Sequence, residues 1–286
     1  MANVTLTTTD AWVPELWATR ATSFFNSTTV ARGVCSNDYQ AFARGSDVIH
    51  VPHIDNESAR SWSTGSLTFD SATEIENTIT PTTRIYVAKK IDKMADIATN
   101  VALLSLYTEQ MGKALALQFD DDLQDAMDGA SAVGTDNVDI TDSIILSAQK
   151  TLNDNKIPQS GRWLIISPGT LQAFRQEEKY VNSLYAQSTG NPGNANENGF
   201  VGRIYEFDVY LTQQPLSGSS GKKSFMGQKQ AVQYVMAQDL TFENPRTPHD
   251  ELADALIAWM VYGDKLMNFK EVGGSNIYGV VELAGT

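Results

Sequence analysis

The sequence predicts an α+β fold assembled from three unlike parts: a long two-stranded arm, a single very long helix, and an α/β subdomain followed by closing strands. Three observations predict it. Between residues 45 and 93 two β-rich stretches flank a Ser/Thr-rich run with too few apolar residues to make a core. Between 96 and 128 apolar residues recur at helical spacing. From 137 onward helix and strand signals alternate.

Residues 1–44 form an N-terminal arm anchored by Trp12, Trp17, Phe24 and Phe25. Asp10 can cap a short helical turn, with Pro14 tolerated in its first turn. Two tryptophans this close to a terminus need cover, from their own domain or from a neighbouring chain; both options are open at this point.

Residues 45–93 read as an extended β-hairpin loop. Val48-Ile49-His50-Val51 runs to Pro52, and Arg84-Ile85-Tyr86-Val87-Ala88 returns after Pro81. Between them Ile54, Trp62, Leu67, Phe69, Ile75 and Ile79 suffice for strand alternation but not for a core. Arms of ~20 residues at ~3.3 Å each reach ~60 Å, whereas a compact chain of this length has a radius of gyration of ~19 Å. A lone hairpin is marginal in water, so the arm is expected to lie on another subunit, with Arg60, Trp62, Phe69 and Arg84 as contacts.

The helix expected over 96–128 has Ile97, Val101, Leu104, Met111, Leu115, Phe119, Leu123 and Ala126 on its apolar side, Asp96 as cap and Gly129 as stop. Its length of ~46 Å suits a spine. In the subdomain over 137–240, Ile144, Ile145, Ala148 and Leu152 mark a helix, and Trp163-Leu164-Ile165-Ile166 a buried strand. Ser167-Pro168 caps a second helix carrying Leu171 and Phe174. A loop over 186–202, a strand from Ile204 to Leu211 and a turn over Ser217–Gly221 follow. Residues 228–240 fit helix or strand equally. Leu256–Tyr262 and Ile277–Val281 read as strands. These parts divide into an arm (1–44), the loop (45–93), a peripheral domain with the spine (94–136 and 240–269) and an axial domain (137–239 and 270–286).

Composition narrows the function. The chain has 286 residues, a net charge of −13 and one cysteine, Cys35. That acidity argues against grip on nucleic acid through phosphates, which needs a basic face. One cysteine excludes an internal disulfide framework and fits a reducing compartment. No apolar run is long enough for a membrane span, and the N-terminus has neither the basic nor the apolar region of a secretory signal.

No catalytic, cofactor or metal constellation emerges. Gly221-Lys222-Lys223-Ser224 lacks the glycine that a phosphate loop needs five residues earlier, where Leu216 stands. Ser167 sits where a nucleophile elbow would place it, but Ile165 occupies an obligatory glycine position. His50 and His53 flank Pro52 with no cysteine nearby, and His249 is remote. Asp121, Asp125 and Asp128 share a helix face and read as a solvated acidic surface. Cys35 has no basic neighbour in sequence and reads as an inert buried thiol.

The order of parts resembles the major capsid proteins of tailed double-stranded DNA bacteriophages, the Hong Kong 97-like coat fold. Six segments carry the resemblance: Val13–Trp17, Gly45–Pro52, Lys89–Lys93, Leu115–Asp120, Ile165–Pro168 and Val261–Gly263. Glu206-Phe207 departs from it, since the family often has Gly-Phe there. The resemblance implies a structural protein, not an enzyme, that self-assembles as pentamers and hexamers into an icosahedral shell around DNA that it binds without sequence specificity. Its place would be the virion, after assembly in the host cytoplasm. It implies no cofactor and no membrane. Its partners would be further copies, a separate scaffolding protein, a portal protein and, optionally, a decoration protein. With only the arm before the loop, no large propeptide is expected to be removed. Some members weld subunits through a loop lysine and an asparagine on the returning strand. No lysine lies between Gly45 and Ala88 here and no asparagine between Asp250 and Lys265, so a non-covalent shell is expected. Two alternatives remain: an encapsulin-like nanocompartment enclosing cargo enzymes, and a metal-dependent hydrolase, which the failed motifs disfavour.

Overall fold

The structure is a computed structural model that describes residues 29–43, 47–54, 59–62, 64–67, 69, 74–92, 103–135, 138–176, 200–218, 221–243, 253–272 and 275–285. In chain order the elements are α1 (Ala31–Val34), β1 (Ile49–Ile54), β2 (Glu74–Ile79), β3 (Thr83–Asp92), α2 (Leu103–Met127), β4 (Ser131–Gly134), α3 (Asp142–Asp154), β5 (Arg162–Ile166), α4 (Pro168–Gln176), β6 (Phe200–Ile204), β7 (Phe207–Leu211), β8 (Lys223–Gln228), β9 (Val232–Glu243), β10 (Ala253–Leu266), β11 (Asn268–Val272), β12 (Ser275–Tyr278) and β13 (Val280–Ala284).

Two larger sheets organise them. A three-stranded sheet runs β3-β10-β9, and a six-stranded sheet runs β4-β13-β8-β5-β7-β6. The spine α2 lies on the first. Met111, Leu115, Phe119, Leu123 and Met127 are buried at helical spacing and meet Leu256, Ala258, Met260 and Tyr262, the buried alternate residues of β10. Phe119 stands edge-on to both Tyr262 and Tyr234, with ring centroids 4.8 and 5.6 Å apart. The described part of the spine spans ~37 Å at 1.5 Å per residue; the expected start at 96–102 lies outside the described residues.

In the six-stranded sheet β5 is central and buried throughout, as its unbroken apolar run requires. α3 covers one face with Ile145, Ala148 and Leu152 packed among Leu164, Ile166, Val209 and Leu283. Ser167 caps α4, its Oγ accepting from the Thr170 N–H at 3.1 Å.

Several sequence expectations are corrected by strand pairing. β1 pairs with β2, from Ile49↔Ile79 to Ile54↔Glu74, and passes through Pro52 without stopping. The stretch Arg84–Ala88, expected to be the loop's returning strand, instead belongs to β3 and pairs with β10. Alternation decides this. Ile85 and Val87 pack toward the spine core while Arg84, Tyr86 and Ala88 face out, so β3 belongs to the spine sheet, and β2, with Ile75, Asn77 and Ile79 buried in alternation, is the loop's returning strand. Ile204–Leu211 is not one strand but a hairpin. β6 and β7 pair up to Ile204↔Phe207, leaving Tyr205 and Glu206 as a two-residue turn with Tyr205 at φ 53°. Residues 200–202, expected to close the 186–202 loop, are instead part of β6, and 186–199 lie outside the described residues. Residues 232–239 are strand, and they join the three-stranded sheet rather than the six-stranded one. β4, counted with the spine by sequence, pairs in parallel with β13 in the six-stranded sheet. Ile277–Val281 is broken at Gly279 into β12 and β13.

Gly263 marks where the turn between β2 and β3 touches β10. A Cβ there would lie 2.4 Å from the Thr80 carbonyl oxygen, so only glycine admits the contact.

Candidate assembly surface

The extended hairpin is held at its base and bare at its tip. Ile49, Val51 and Ile79 bury one face against Ala43, Val235 and Met267. Asn77, buried on the same strand, donates to the Asn268 carbonyl at 3.1 Å and accepts from the Asn268 N–H at 2.9 Å. This paired amide contact fastens β2 to β11. Further out, Trp62 Nε1 donates to the Gly65 carbonyl at 3.0 Å and folds a local turn, with Gly65 at φ 109°. Trp62 is 64% exposed, Leu67 63% and Phe69 88%: three large apolar side chains on one segment, presented to solvent.

Arg60 is exposed on the same segment, and Arg84 is exposed on β3. The structure thus places three of the sequence-predicted contacts on the loop tip and the fourth on the outer face of the three-stranded sheet. There Arg84 lines an open cavity of about 560 Å³ with Tyr86, Gln238, Trp259 and Val261. Tyr86, 72% exposed, reads from sequence only as a strand residue; its period-two partner Arg84 is the signal that marks its face. Trp12 and Trp17 lie outside the described residues. The described part of the arm packs on its own subunit: Val30, Ala31, Val34 and Cys35 are buried, the last three within the spine core.

The acidic run of the spine does more than face solvent, a correction to the sequence reading. Asp120 is buried, and its Oδ1 accepts from the Val30 and Ala31 N–H groups at 3.0 and 2.7 Å, pinning the arm to the spine. Burial pushes its carboxyl up to about 6, against the lowering pull of those backbone bonds. Asp122 accepts a hydrogen bond from the Tyr262 hydroxyl across the spine–β10 interface. Asp264, on the same side of β10, is also pushed up to about 6, by burial first and then by Asp122 and Asp125. Burial, followed by Asp122 and Asp125, raises Asp121 as well. Asp128 pairs with Lys223, which also reaches Glu282 at 3.2 Å, tying the spine's end to β8 and β13. Asp125 alone of the run matches the expected solvated face.

A pH dependence follows. A carboxyl raised from 3.8 to about 6 on folding binds more protons when folded, so its contribution to stability is fully present below pH ~4 and is lost as pH rises through ~6. The melting temperature is expected to fall between pH 5 and pH 7, and Asp264→Asn is expected to reduce that fall. An identical pH profile for the variant would contradict the assignment.

The remaining chemical candidates dissolve into structure. His50 Nδ1 pairs with the Glu76 carboxylate, and the His53 ring stands edge-on to Phe269 at 6.1 Å. The Cys35 thiol is buried and raised by that burial, then by Asp120 and Asp264, consistent with an inert thiol. Lys222 and Ser224 flank Lys223 on a hairpin that begins at the Ser217–Lys222 bridge. Among the described residues no three His, Cys, Asp or Glu side chains gather to hold a metal, and no helix is long and apolar enough to cross a membrane.

A chain with a strut helix, two larger sheets and a loop that leaves Trp62, Leu67 and Phe69 exposed offers apolar surface for other chains to cover, and comparison with known proteins agrees. The fold matches a structure from Mycobacterium phage Che8 with a TM-score of 0.70 at 20% identity, covering 90% of this chain and 92% of that one. It matches one from Microbacterium phage Oxtober96 with a TM-score of 0.66 at 11% identity, covering 91% and 92%. It also matches the mature capsid of bacteriophage PhiM1 with a TM-score of 0.61 at 15% identity, covering 90% and 88%. Comparison with curated protein sequences finds no match. Residues 83–272, from the first residue of β3 to the last of β11, match the family described as phage capsid protein. The chain therefore belongs to the phage capsid protein family, as a structural major capsid protein of Hong Kong 97-like fold that self-associates in a capsid shell.

Proposed function

We propose that this chain assembles as pentamers and hexamers into an icosahedral shell that encloses double-stranded DNA, with the hairpin tip laid on a neighbouring subunit. The observation that carries this reading is the bare apolar segment of Trp62, Leu67 and Phe69, held out on a firmly seated base. Such a segment is costly in a monomer and useful only when covered. The net charge of −13 suits a container: a negative wall does not trap a packaged polyanion, whose entry other machinery must drive. The role is structural and uses no chemistry of its own. A separate scaffolding protein guides curvature, a portal protein occupies one vertex, and assembly takes place in the host cytoplasm.

The shell is held by non-covalent contacts. The loop carries no lysine from Gly45 to Ala88, and β10 carries no asparagine, so neither group of a loop-to-strand isopeptide bond stands where the reaction needs it. Negative-stain microscopy of the protein expressed alone and with its scaffolding protein tests the reading; round shells are expected, and only monomers under both conditions would overturn it. Boiled particles on a denaturing gel should give one band near 31.3 kDa. A ladder that survives reductant would refute the non-covalent claim.

A further inference from the structure

The three-stranded sheet has flanks of opposite charge. β3, one edge, carries Arg84, Lys89 and Lys90 against Asp92 in a chain whose net charge is −13. β9, the other edge, carries Asp239 and Glu243 and no basic residue. Arg84, Lys89, Lys90, Asp239 and Glu243 are all exposed. Among the described residues, β3 pairs with β10 and with no other strand.

The β9 edge is half covered by its own chain. The Ser36 N–H donates to the Val232 carbonyl, and the Tyr234 N–H donates to the Ser36 carbonyl, both at 3.0 Å. The Gln40 side-chain amide then imitates a strand, donating to the Met236 carbonyl at 2.7 Å and accepting from the Met236 N–H at 2.9 Å. This cover stops at Met236, so the acidic half of the strand, from Gln238 to Glu243, has no strand beside it other than β10 among the described residues. An exposed strand edge is a template for pairing that proteins usually blunt. Here one end is blunted and the charged end is left.

We propose that these flanks meet head to tail: the Arg84–Lys90 edge of one copy sets against the Asp239–Glu243 edge of the next, and this contact orients subunits around each ring. The inference rests on the shell reading above. The surface joins two different patches of the same chain, which is the heterologous contact that closes rings rather than pairs. Along a strand the basic stretch spans ~20 Å from Arg84 to Lys90 and the acidic stretch ~13 Å from Asp239 to Glu243, so the acidic stretch fits within the length of the basic one. Exposed ion pairs add little affinity one by one. Their effect is to fix orientation and register, and to penalise like-charge approaches at every interface of the ring.

Charge reversal tests it. Lys89→Glu with Lys90→Glu is expected to cut particle yield at least tenfold, as is Asp239→Lys with Glu243→Lys, and all four together are expected to restore it. Asp239 caps the Leu240 N–H and Glu243 accepts from Trp259 Nε1 at 3.1 Å, so the second pair could cost folding. Asp239→Asn with Glu243→Gln keeps those acceptors and should assemble with less sensitivity to salt than the unaltered chain; melting temperatures verify that each variant folds. Mixing the two reversed chains gives a sharper readout. Alternating them satisfies every contact in an even-numbered ring and fails in an odd one, so hexamers without pentamers, seen as open sheets or tubes, are expected. Normal shells from the folded single reversals, or no rescue by the fourfold variant, would overturn the proposal. Absence of shells from the unaltered chain and its scaffolding protein would instead overturn the shell reading.

Discussion

Replacing residues 56–72 with a short Gly-Ser turn is expected to yield a soluble, folded subunit that builds no shells. The cut spares β1 and β2, whose buried face of Ile49, Val51 and Ile79 is seated on Ala43, Val235 and Met267. It also spares the Asn77–Asn268 pair, so the base keeps its internal contacts. What is lost is Trp62, Leu67 and Phe69, none of which is buried within the subunit. Covering side chains of this size is worth about 1.5–3 kcal/mol each, and the contact recurs at every subunit, so its removal acts on the whole particle. Size-exclusion chromatography and negative-stain microscopy give the readout, with the melting temperature of the subunit close to that of the unaltered chain. A milder pair, Trp62→Ala with Phe69→Ala, should reduce particle yield at least tenfold. Normal shells from the deletion would mean that the tip covers nothing of consequence.

The sequence is most legible where one period runs long enough to identify itself. The spine shows this best, since Met111, Leu115, Phe119 and Leu123 follow from spacing alone and are the residues buried on the sheet. β5 and the Ser167 cap are equally plain, the first because an apolar run of strand length between turn signals has few other uses. The loop is legible by its poverty of apolar residues, but its returning strand is not. Ile75, Asn77 and Ile79 alternate as clearly as the residues of β3, and the Ser/Thr content around them hides it. Burial of the acidic run is not legible at all. Asp120 faces the N–H groups of residues about 90 positions earlier, a contact that helical spacing cannot encode. β9 is illegible for the opposite reason: its first half is buried on both faces and loses its alternation, so periodicity cannot separate strand from helix there.

Glu206→Ala is expected to cost about 3 kcal/mol of subunit stability, and the reason lies in a residue that looks anomalous in the sequence. The family often places glycine before this phenylalanine, where a tight turn would use it. Here the positive φ falls one residue earlier, on Tyr205, and position 206 is free to carry a side chain. That side chain answers Arg162, which is fully buried on β5. Arg162 donates from Nε to the Pro158 carbonyl at 3.0 Å and from Nη2 to the Ile157 carbonyl at 2.8 Å, and Nη1 pairs with the Glu206 carboxylate. Its guanidinium stands 5.8 Å from the centre of the Phe207 ring, and Gln149 of α3 donates to the same carboxylate at 2.9 Å. Glu206 thus joins the β6–β7 turn, the β5 strand and α3 through one group. Removing it leaves a buried guanidinium with two carbonyl partners and no counter-charge, and breaking a buried pair from one side costs about 3–5 kcal/mol. Because Glu206 is a quarter exposed, the lower end of that range applies. For a chain of this size the loss corresponds to roughly 5–10 °C in melting temperature. Arg162→Met combined with Glu206→Gln should be milder than Glu206→Ala, since it removes the charge that the single variant strands. Thermal melts of the isolated subunits decide the matter: a single variant no less stable than the double one would show that the pair holds nothing together.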